Sequence, residues 1–296
     1  YISANYDVSE NVEVFVDAVV SNNESFGRYA PPAAPGTMLA SNPKNPYGVD
    51  VNGYFRWTDI GTRDNVVNDT MVDVNVGVNM DLANDMALEA YYTYSDYRST
   101  SIGKYYLSYG GFAENVLYEV SDLDTYIANL KTTTLNDDRQ RMQKVFAGLQ
   151  FDLMEMAGGT AVGYVAAETF DVDYRADVDA QSEAGLVGGS AGNSAQGARS
   201  VKAISAEAIL PVTDFLEVDV AVRYDDYDDF GSEVSPRVGA TFTMIDDLTI
   251  KASYGQGFRA PDLSDLYGAT SFSAENAVDY YGCSLDGVSE NDCPNR

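Results

Sequence analysis

Apolar and polar residues alternate strictly along several stretches of the chain. The clearest are "NVEVFVDAVV" at residues 11–20, "MVDVNVGVNM" at 71–80 and "EVDVAVRYD" at 217–225, where valine dominates every second position. A period of two places the apolar side chains on one face of an extended strand and the polar ones on the other. Together with weaker repeats, the pattern predicts about ten antiparallel strands, most near or above the roughly 9–11 residues that a tilted strand needs to cross a bilayer.

The connections between these strands alternate in length. Short polar turns are predicted at "DVSEN", "DLANDM", "LMEMAGG", "PVTDF" and "MIDD". Long segments at residues 22–69, 97–141 and 175–199 separate the hairpins, and only the step from Tyr227 to Glu233 is short. This alternation gathers the short turns at one end of the sheet, as in an outer-membrane barrel with brief periplasmic turns and long external loops.

The face opposite the valines is too charged for a packed core. It carries Glu13, Asp17, Asp73, Asn75, Glu217, Asp219, Arg223, Arg237 and Lys251. Unpaired ions are costly in a dry interior, so we expect this face to line water or a plug. A soluble antiparallel sheet with one face in water alternates in the same way and stays open on periodicity alone. The loop polarity and the 22 tyrosines, many of them near strand ends, favour the membrane barrel.

Composition narrows the function classes. With 46 acidic and 18 basic side chains, the formal charge of −28 argues against nucleic acid as a partner, because binding to phosphates depends on Lys and Arg. The chain has no histidine and two cysteines, so a four-ligand zinc site cannot form and most enzyme classes lose their usual general base. We expect no enzyme, cofactor or metal centre. No apolar run reaches the length of a transmembrane helix.

Both chain ends interrupt the pattern. The sequence starts within a strand pattern at Tyr1, without the features of a secretory signal, and stops within a loop at Arg296. We therefore expect an internal piece of a longer protein.

The stretch "YGQGFRA" fits the letters of a dinucleotide-binding turn, G-x-G-x-x-A. The preceding strand "DLTIKASYG" alternates instead of being continuously apolar, and no β-α unit precedes it, so a cofactor loop is disfavoured. The longer segment "SPRVGATFTMIDDLTIKASYGQGFRAPDLSDLY", residues 235–267, resembles the barrel of TonB-dependent outer-membrane receptors, and "AVRYDDYDDFGSEVSP" resembles the hairpin before it. The residues that carry this signature are Gly255, Gly257, Phe258, Arg259, Ala260, Pro261, Leu266 and Tyr267.

The signature residues carry structural expectations. The two glycines would remove side chains where a strand approaches a neighbour or the plug, and Pro261 would end the hydrogen-bond ladder. Arg259 would pair with a carboxylate or a backbone carbonyl near the rim.

The resemblance implies a transmembrane barrel of about twenty-two strands around an N-terminal plug. Residues 1–296 would be part of that barrel, with the plug, the coupling box and the closing strands outside the chain. Such receptors bind a ferric siderophore, cobalamin, haem or a glycan at the cell outer membrane and import it when TonB remodels the plug. Implied partners are TonB, the nutrient, outer-membrane lipid and lipopolysaccharide. A passive porin, or an acidic structural or adhesive β protein that binds Ca²⁺, is the alternative.

The loops supply candidate ligand contacts. Exposed aromatic and arginine side chains commonly stack on ligands, although the same residues also pack loops together or sit in interfacial belts. The candidates are Tyr29, Trp57, Arg63, Tyr105, Tyr106 and Tyr109.

Four smaller features carry separate expectations. "SDLDTYIANLK" places Leu123, Ile127 and Leu130 at helical spacing, which predicts a short loop helix. "SEAGLVGGSAGNSAQGA" is rich in small residues and is predicted to be mobile. "YDDYDDFGSE" holds enough carboxylates for Ca²⁺, but alternation splits them between faces, so a solvated hairpin tip is favoured. In an oxidising compartment, Cys283 and Cys293 should form a disulfide.

Overall fold

The computed structural model describes most of the chain. The described residues are 1–38, 40–41, 45–109, 128–245, 248–268, 278, 280–285, 287, 289 and 293.

Strands dominate the described residues. Their bounds are β1 (Ile2–Ser9), β2 (Val12–Tyr29), β3 (Ala33–Met38), β4 (Val51–Arg56), β5 (Arg63–Asp81), β6 (Ala87–Ser108), β7 (Lys131–Met156), β8 (Gly159–Val178), β9 (Val187–Gly188), β10 (Ala195–Thr213), β11 (Leu216–Tyr227), β12 (Gly231–Ile245) and β13 (Leu248–Gly255). Short helical elements are a 3₁₀ turn (Thr58–Ile60), α1 (Ala180–Glu183), α2 (Leu263–Tyr267) and α3 (Tyr280–Leu285).

Ten of these strands form one continuous antiparallel sheet. Its order is β1-β2-β5-β6-β7-β8-β10-β11-β12-β13, with β9 added beside β6, and β3 and β4 form a separate pair. The predicted all-β architecture of about ten antiparallel strands is confirmed. Within the described part, β1 and β13 are the two edges of the path, so the chain forms an unclosed barrel wall.

Hairpin polarity also follows the prediction. Strands β1 and β2, β5 and β6, β7 and β8, β10 and β11, and β12 and β13 pair as tight hairpins. Because every pairing is antiparallel, these turns lie at one end of the sheet, and the long connections lie at the other. None of the described helices is long and apolar enough to cross a membrane.

The strands extend much further than the sequence predicts. Strand β7 has 26 residues, β6 has 22 and β8 has 20. The predicted long segments 22–69, 97–141 and 175–199 were therefore drawn too wide, since strands occupy both ends of each. Beyond the apolar zone polar residues occupy both faces, so the alternation disappears from the sequence while the backbone ladder continues, as where Asn22 pairs with Thr70 and Asn23 with Asp69.

The two faces differ as the alternation predicts. Along β11, Val220, Val222 and Tyr224 are exposed, whereas Arg223 and Asp225 on the opposite face are covered to a greater degree. In a membrane barrel the apolar face is the lipid-facing one and the polar face lines the lumen. We use "outer face" and "inner face" in this sense below.

The segment predicted to be mobile contains regular secondary structure. Within residues 182–198, Ser182 and Val187 are buried, and β9 pairs with the end of β6. Asp179 begins α1 by accepting hydrogen bonds from the backbone N–H groups of Gln181 and Ser182. Small side chains permit close packing here: a Cβ on Gly188 would already contact Leu107 at 3.2 Å.

Candidate functional site

The chain that follows β13 turns back across the inner face of the sheet. We call residues 256–268 the strap. Phe258 packs against Tyr227 of β11 and Phe230, with ring centroids 5.9 and 5.3 Å apart. Helix α2 packs on β10, where Gly268 forms a β-bridge with Ala195. The strap therefore spans from the edge strand β13 over β12 and β11 to reach β10.

A buried arginine holds the strap in place. Arg199 on β10 is ion-paired with Asp229 at 2.8 Å, and their side chains are only 10% and 8% exposed. Its Nη2 also donates a hydrogen bond of 2.9 Å to the carbonyl oxygen of Pro261 in the strap. The guanidinium lies 5.5 Å from the ring centroid of Tyr227. One side chain thus links the sheet, the β11–β12 turn and the strap.

The strap roofs a cavity of about 480 Å³, which we call the mouth pocket. Its floor is formed by β7, β8, β10 and β11 and its roof by the strap. The lining residues are Gln140, Phe170, Val172, Tyr174, Arg199, Tyr227, Ala260, Asp262, Leu263 and Ser264. Aromatic rings, an amide, hydroxyls and charged groups allow this pocket to stack on a ligand and to form hydrogen bonds with it.

A network of ion pairs covers the inner face nearer the hairpin turns. Glu168 accepts Lys144 Nζ at 2.6 Å and also binds Arg223, which pairs with Asp225 at 2.8 Å. The two carboxylates and two cations neutralise one another, which permits these charges on a wall that is otherwise partly covered. This arrangement matches a lumen that faces water or a plug and does not match a hydrophobic core.

Two neighbouring carboxylates near the external end of β7 have shifted pKa values, with Asp137 on the outer face and Asp138 on the inner face. The hydrogen bond from Arg98 holds the pKa of Asp137 below its usual value. Burial raises the pKa of Asp138, and the nearby charges of Asp137 and Asp177 raise it further. Asp138 therefore takes up a proton more readily than an exposed aspartate would.

Three of the predicted loop residues meet around one guanidinium. Arg63 lies 5.9 Å from the ring centroid of Tyr29 and 5.7 Å from that of Tyr106, and its Nε donates to the carbonyl of Ala30. The buried Tyr106 donates its hydroxyl to Asn65 at 3.0 Å. These contacts tie the start of β5 to the ends of β2 and β6.

The other three predicted loop residues lie nearby. Trp57 and Tyr109 pack against a small apolar cluster of Ile60, Leu107 and Leu130. Tyr105 has a left-handed backbone conformation with a φ of 63° and is partly exposed, and Lys131 Nζ lies 5.8 Å from its ring centroid. The structure gives these residues packing contacts with the protein itself, and their contact with a ligand stays a proposal. Residues 128–130 are helical, whereas the predicted helix positions Leu123 and Ile127 lie outside the described residues.

The signature residues other than Gly255, which ends β13, lie in the strap, and the two glycines differ from expectation. Arg259 pairs with the carboxylate of Asp262 at 2.7 Å, in line with its predicted role. A Cβ on Gly255 would make only ordinary contacts, and one on Gly257 would meet nothing within 4 Å. Close approach to a neighbouring strand therefore does not require either glycine. Close packing does require Gly197 on β10, because Tyr267 lies directly over it, and Gly268 at the end of the strap, where a Cβ would clash with the backbone oxygen of Ser264.

The remaining signature positions have distinct environments. Ala260 lines the mouth pocket, and Pro261 supplies the carbonyl that Arg199 binds. Leu266 and Tyr267 belong to α2 and stay partly exposed.

Most carboxylates of the acidic hairpin tip, residues 224–233, form ion pairs or hydrogen bonds within the protein. Asp225 and Asp229 are ion-paired with Arg223 and Arg199, and Asp228 accepts a hydrogen bond from the backbone N–H of Ser200. Asp226 is exposed on the outer face. The split between faces follows the alternation, as the sequence predicts.

The sequence did not indicate Arg199, Gly197 or Asp229 as site residues. Gly197 falls in the segment that composition predicted to be mobile, Arg199 directly follows that segment, and Asp229 was one carboxylate among several. The contact from Arg199 to Pro261 joins residues 62 positions apart, which a local pattern cannot show.

Cys283 and Cys293 form a disulfide in the structure, with Cα atoms 5.8 Å apart. Cys283 is buried, and neither cysteine belongs to the sheet. Digestion without reduction should therefore give one linked peptide that contains both residues. Because the link is local, reducing it should leave the folded, heat-sensitive gel form of the barrel in place. Alkylation of both thiols without prior reduction would contradict the pairing.

These observations define a membrane β-barrel wall whose inner face carries a roofed pocket. Residues 5–286 match the family described as "TonB dependent receptor-like, beta-barrel". The chain belongs to this family, which consists of transport receptors of the outer membrane. No curated protein matches the chain significantly.

Solved structures share the fold at low sequence identity. FpvAI, in a complex with pyocin S2, aligns with a TM-score of 0.53 and 13% identity over 86% of this chain and 33% of its own. The siderophore receptor PirA from Acinetobacter baumannii gives 0.50 and 15% over 88% and 33%, respectively. The RagAB peptide transporter gives 0.50 and 12% over 80% and 29%. The chain thus spans about a third of the length of these proteins.

Proposed function

We propose that this chain is the ligand-facing part of the barrel of an outer-membrane receptor that captures a scarce nutrient at the mouth pocket. The observation that carries the proposal is the strap-roofed cavity on the inner face of the wall. Its mixture of aromatic and polar groups suits a compact ligand with rings and hydrogen-bonding groups. The ligand classes considered are ferric siderophores, cobalamin, haem and glycans. The structural neighbours include a siderophore receptor and a peptide transporter, which supports a compact ligand of this kind.

Import would draw energy from TonB. Membership of the TonB-dependent family supports this step, with the contact to TonB made by a plug outside residues 1–296. The plug and the strands that close the barrel would belong to the rest of the protein. The loop residues Tyr29, Trp57, Arg63, Tyr105, Tyr106 and Tyr109 would form an outer ring of ligand contacts above the mouth pocket.

Uptake at low external nutrient concentration should require TonB and the proton gradient. We expect cells that carry the full receptor to lose uptake of the cognate nutrient when TonB is deleted, while binding at the cell surface persists. A porin passes solutes by diffusion. Uptake that continues without TonB and rises linearly with the external nutrient concentration would therefore favour the porin alternative.

The mouth pocket should control binding in the same cells. Tyr174→Ala removes a pocket ring and should weaken surface binding by about tenfold, the scale of a lost stacking contact. Tyr281→Ala is the matched control, because Tyr281 is 75% exposed and lies in α3, outside the pocket. If both variants bind the nutrient equally well, the ligand does not bind in the mouth pocket.

A further inference from the structure

The carboxylate of Asp138, on the inner face of β7, lacks a partner. It makes no hydrogen bond or ion pair within the part of the chain that the structure describes. Burial disfavours its ionised form, the charges of Asp137 and Asp177 disfavour it further, and no basic group among the described residues offsets these effects. Carboxylates in such surroundings concentrate at functional sites, where a ligand supplies what the fold does not.

Asp138 lies at the edge of the mouth pocket. On the adjacent strands it pairs with Ser99 of β6 and Ala176 of β8. Gln140 and Tyr174, which both line the pocket, pair with each other two positions nearer the hairpin turns. Diagonal neighbours on one face of a sheet lie about 7–8 Å apart, within reach of an aromatic side chain. One ligand group can therefore contact both Asp138 and Tyr174.

The negative charge of Asp138 acts on the pocket itself. Burial raises the pKa of the Tyr174 phenol, and the charge of Asp138 raises it further. The phenol therefore stays neutral, and its ring presents an electron-rich face close to a carboxylate. Such a pair attracts ammonium groups by direct charge attraction and by cation–π contact together.

The charged groups that line the pocket already have opposite partners. Arg199 pairs with Asp229, donates to a backbone carbonyl of the strap and is only 10% exposed. Asp262 pairs with Arg259 at 2.7 Å. Within the described residues, no unpaired cation therefore lines the cavity. An anionic ligand would meet the charge of Asp138 without compensation, whereas a cationic ligand would supply the partner that Asp138 lacks.

We infer that the mouth pocket recognises a protonated amine on the transported nutrient, with Asp138 as its counter-ion. In this arrangement the ammonium lies over the ring of Tyr174 and donates hydrogen bonds to the Asp138 carboxylate and to the amide oxygen of Gln140. Phe170 and Val172 form an apolar wall for the carbon skeleton beside the amine. The inference rests on the proposed function, because it names the charge class of the ligand for the same pocket.

The test uses the full receptor, purified in detergent, at about pH 8, where amines are protonated and carboxylates are ionised. The probes share a phenyl ring and differ in charge: phenethylamine, its neutral N-acetyl derivative and the anion phenylacetate. Saturation-transfer NMR measures their dissociation constants. We expect phenethylamine to bind about tenfold more tightly than either other probe, the scale of a desolvated cation–π contact beside a carboxylate. This preference is measured on the unchanged protein, so it does not depend on the folding of any variant.

A charge-removing variant then assigns the preference to one residue. Asp138→Asn should weaken phenethylamine binding by about tenfold and leave binding of the acetylated probe within about twofold. The asparagine removes a disfavoured charge, so the folded, heat-sensitive gel form should persist. Asp173→Asn is the matched control, because it removes the same charge from the outer face of β8, where Asp173 lies opposite Arg141. Binding of each probe by this control should stay within about twofold of the unchanged protein.

The outcomes separate this inference from the proposed function. The inference is overturned if the receptor shows no preference for the amine, or if Asp138→Asn keeps that preference. When binding without an amine preference is still lost in Tyr174→Ala, the mouth pocket remains the ligand site and the proposed function stands. Probe binding that Tyr174→Ala leaves unchanged would overturn both.

Discussion

Replacing Arg199 by methionine is expected to lower the free energy of unfolding by about 3–5 kcal/mol, the usual cost of leaving one member of a buried ion pair unpaired. The change strands the carboxylate of Asp229, which is 8% exposed, and removes the hydrogen bond to Pro261 in the strap. Urea unfolding of the barrel in lipid vesicles, followed by the heat-sensitive gel shift, measures the loss.

A double variant separates the two consequences of this change. R199M/D229L replaces both charges by apolar groups, so most of the stability should return. The strap should stay released, because the donor to Pro261 is still missing. Trypsin cleavage after the exposed Arg259 reports strap release and should be fast in both variants. Slow cleavage in the double variant would show that Arg199 does not anchor the strap.

Replacing Gly197 by valine is the second change with a large expected effect. A Cβ at this position would lie 2.9 Å from Cε2 of Tyr267, so the ring and helix α2 must move. Overpacking of this kind costs about 1–3 kcal/mol and should lift the strap from β10. A cysteine at Ser264, a lining residue of the mouth pocket, should then react faster with a maleimide.

Gly257→Val is the matched control. It adds the same side chain within the strap, at a site where a Cβ meets nothing within 4 Å. Stability and labelling at position 264 should remain as in the parent. If Gly257→Val were the more damaging change, the plug or another part of the receptor would have to occupy the space beside it.

The transmembrane part of the barrel could be predicted because its physics is local. Lipid on one face and water on the other force a period of two, so the valines at 72, 74, 76 and 78 identify β5 directly. The upper halves of β2 and β5 escaped prediction, since polar residues such as Asn22 and Thr70 there occupy the face that is apolar lower down. Only the hydrogen-bond ladder continues there, and it leaves no mark in composition.

The site was less accessible to sequence reasoning. The signature indicated where the strap lies, and the pairing of Arg259 with a carboxylate was predicted correctly. Its docking partners on β10, Gly197 and Arg199, depend on a path across two other strands, which hydrophobic patterning does not encode. The six loop candidates gathered near one end of the sheet, but alternation gives no means to separate packing residues from ligand contacts.

The length of the strands determines how far the receptor projects from the cell. A strand of 26 residues such as β7 rises about 65 Å along the barrel axis, whereas the apolar band of such barrels is about 25 Å tall. Most of the excess stands on the external side as hydrogen-bonded wall. This part of the wall therefore adds lateral protein surface above the membrane, outside the lumen.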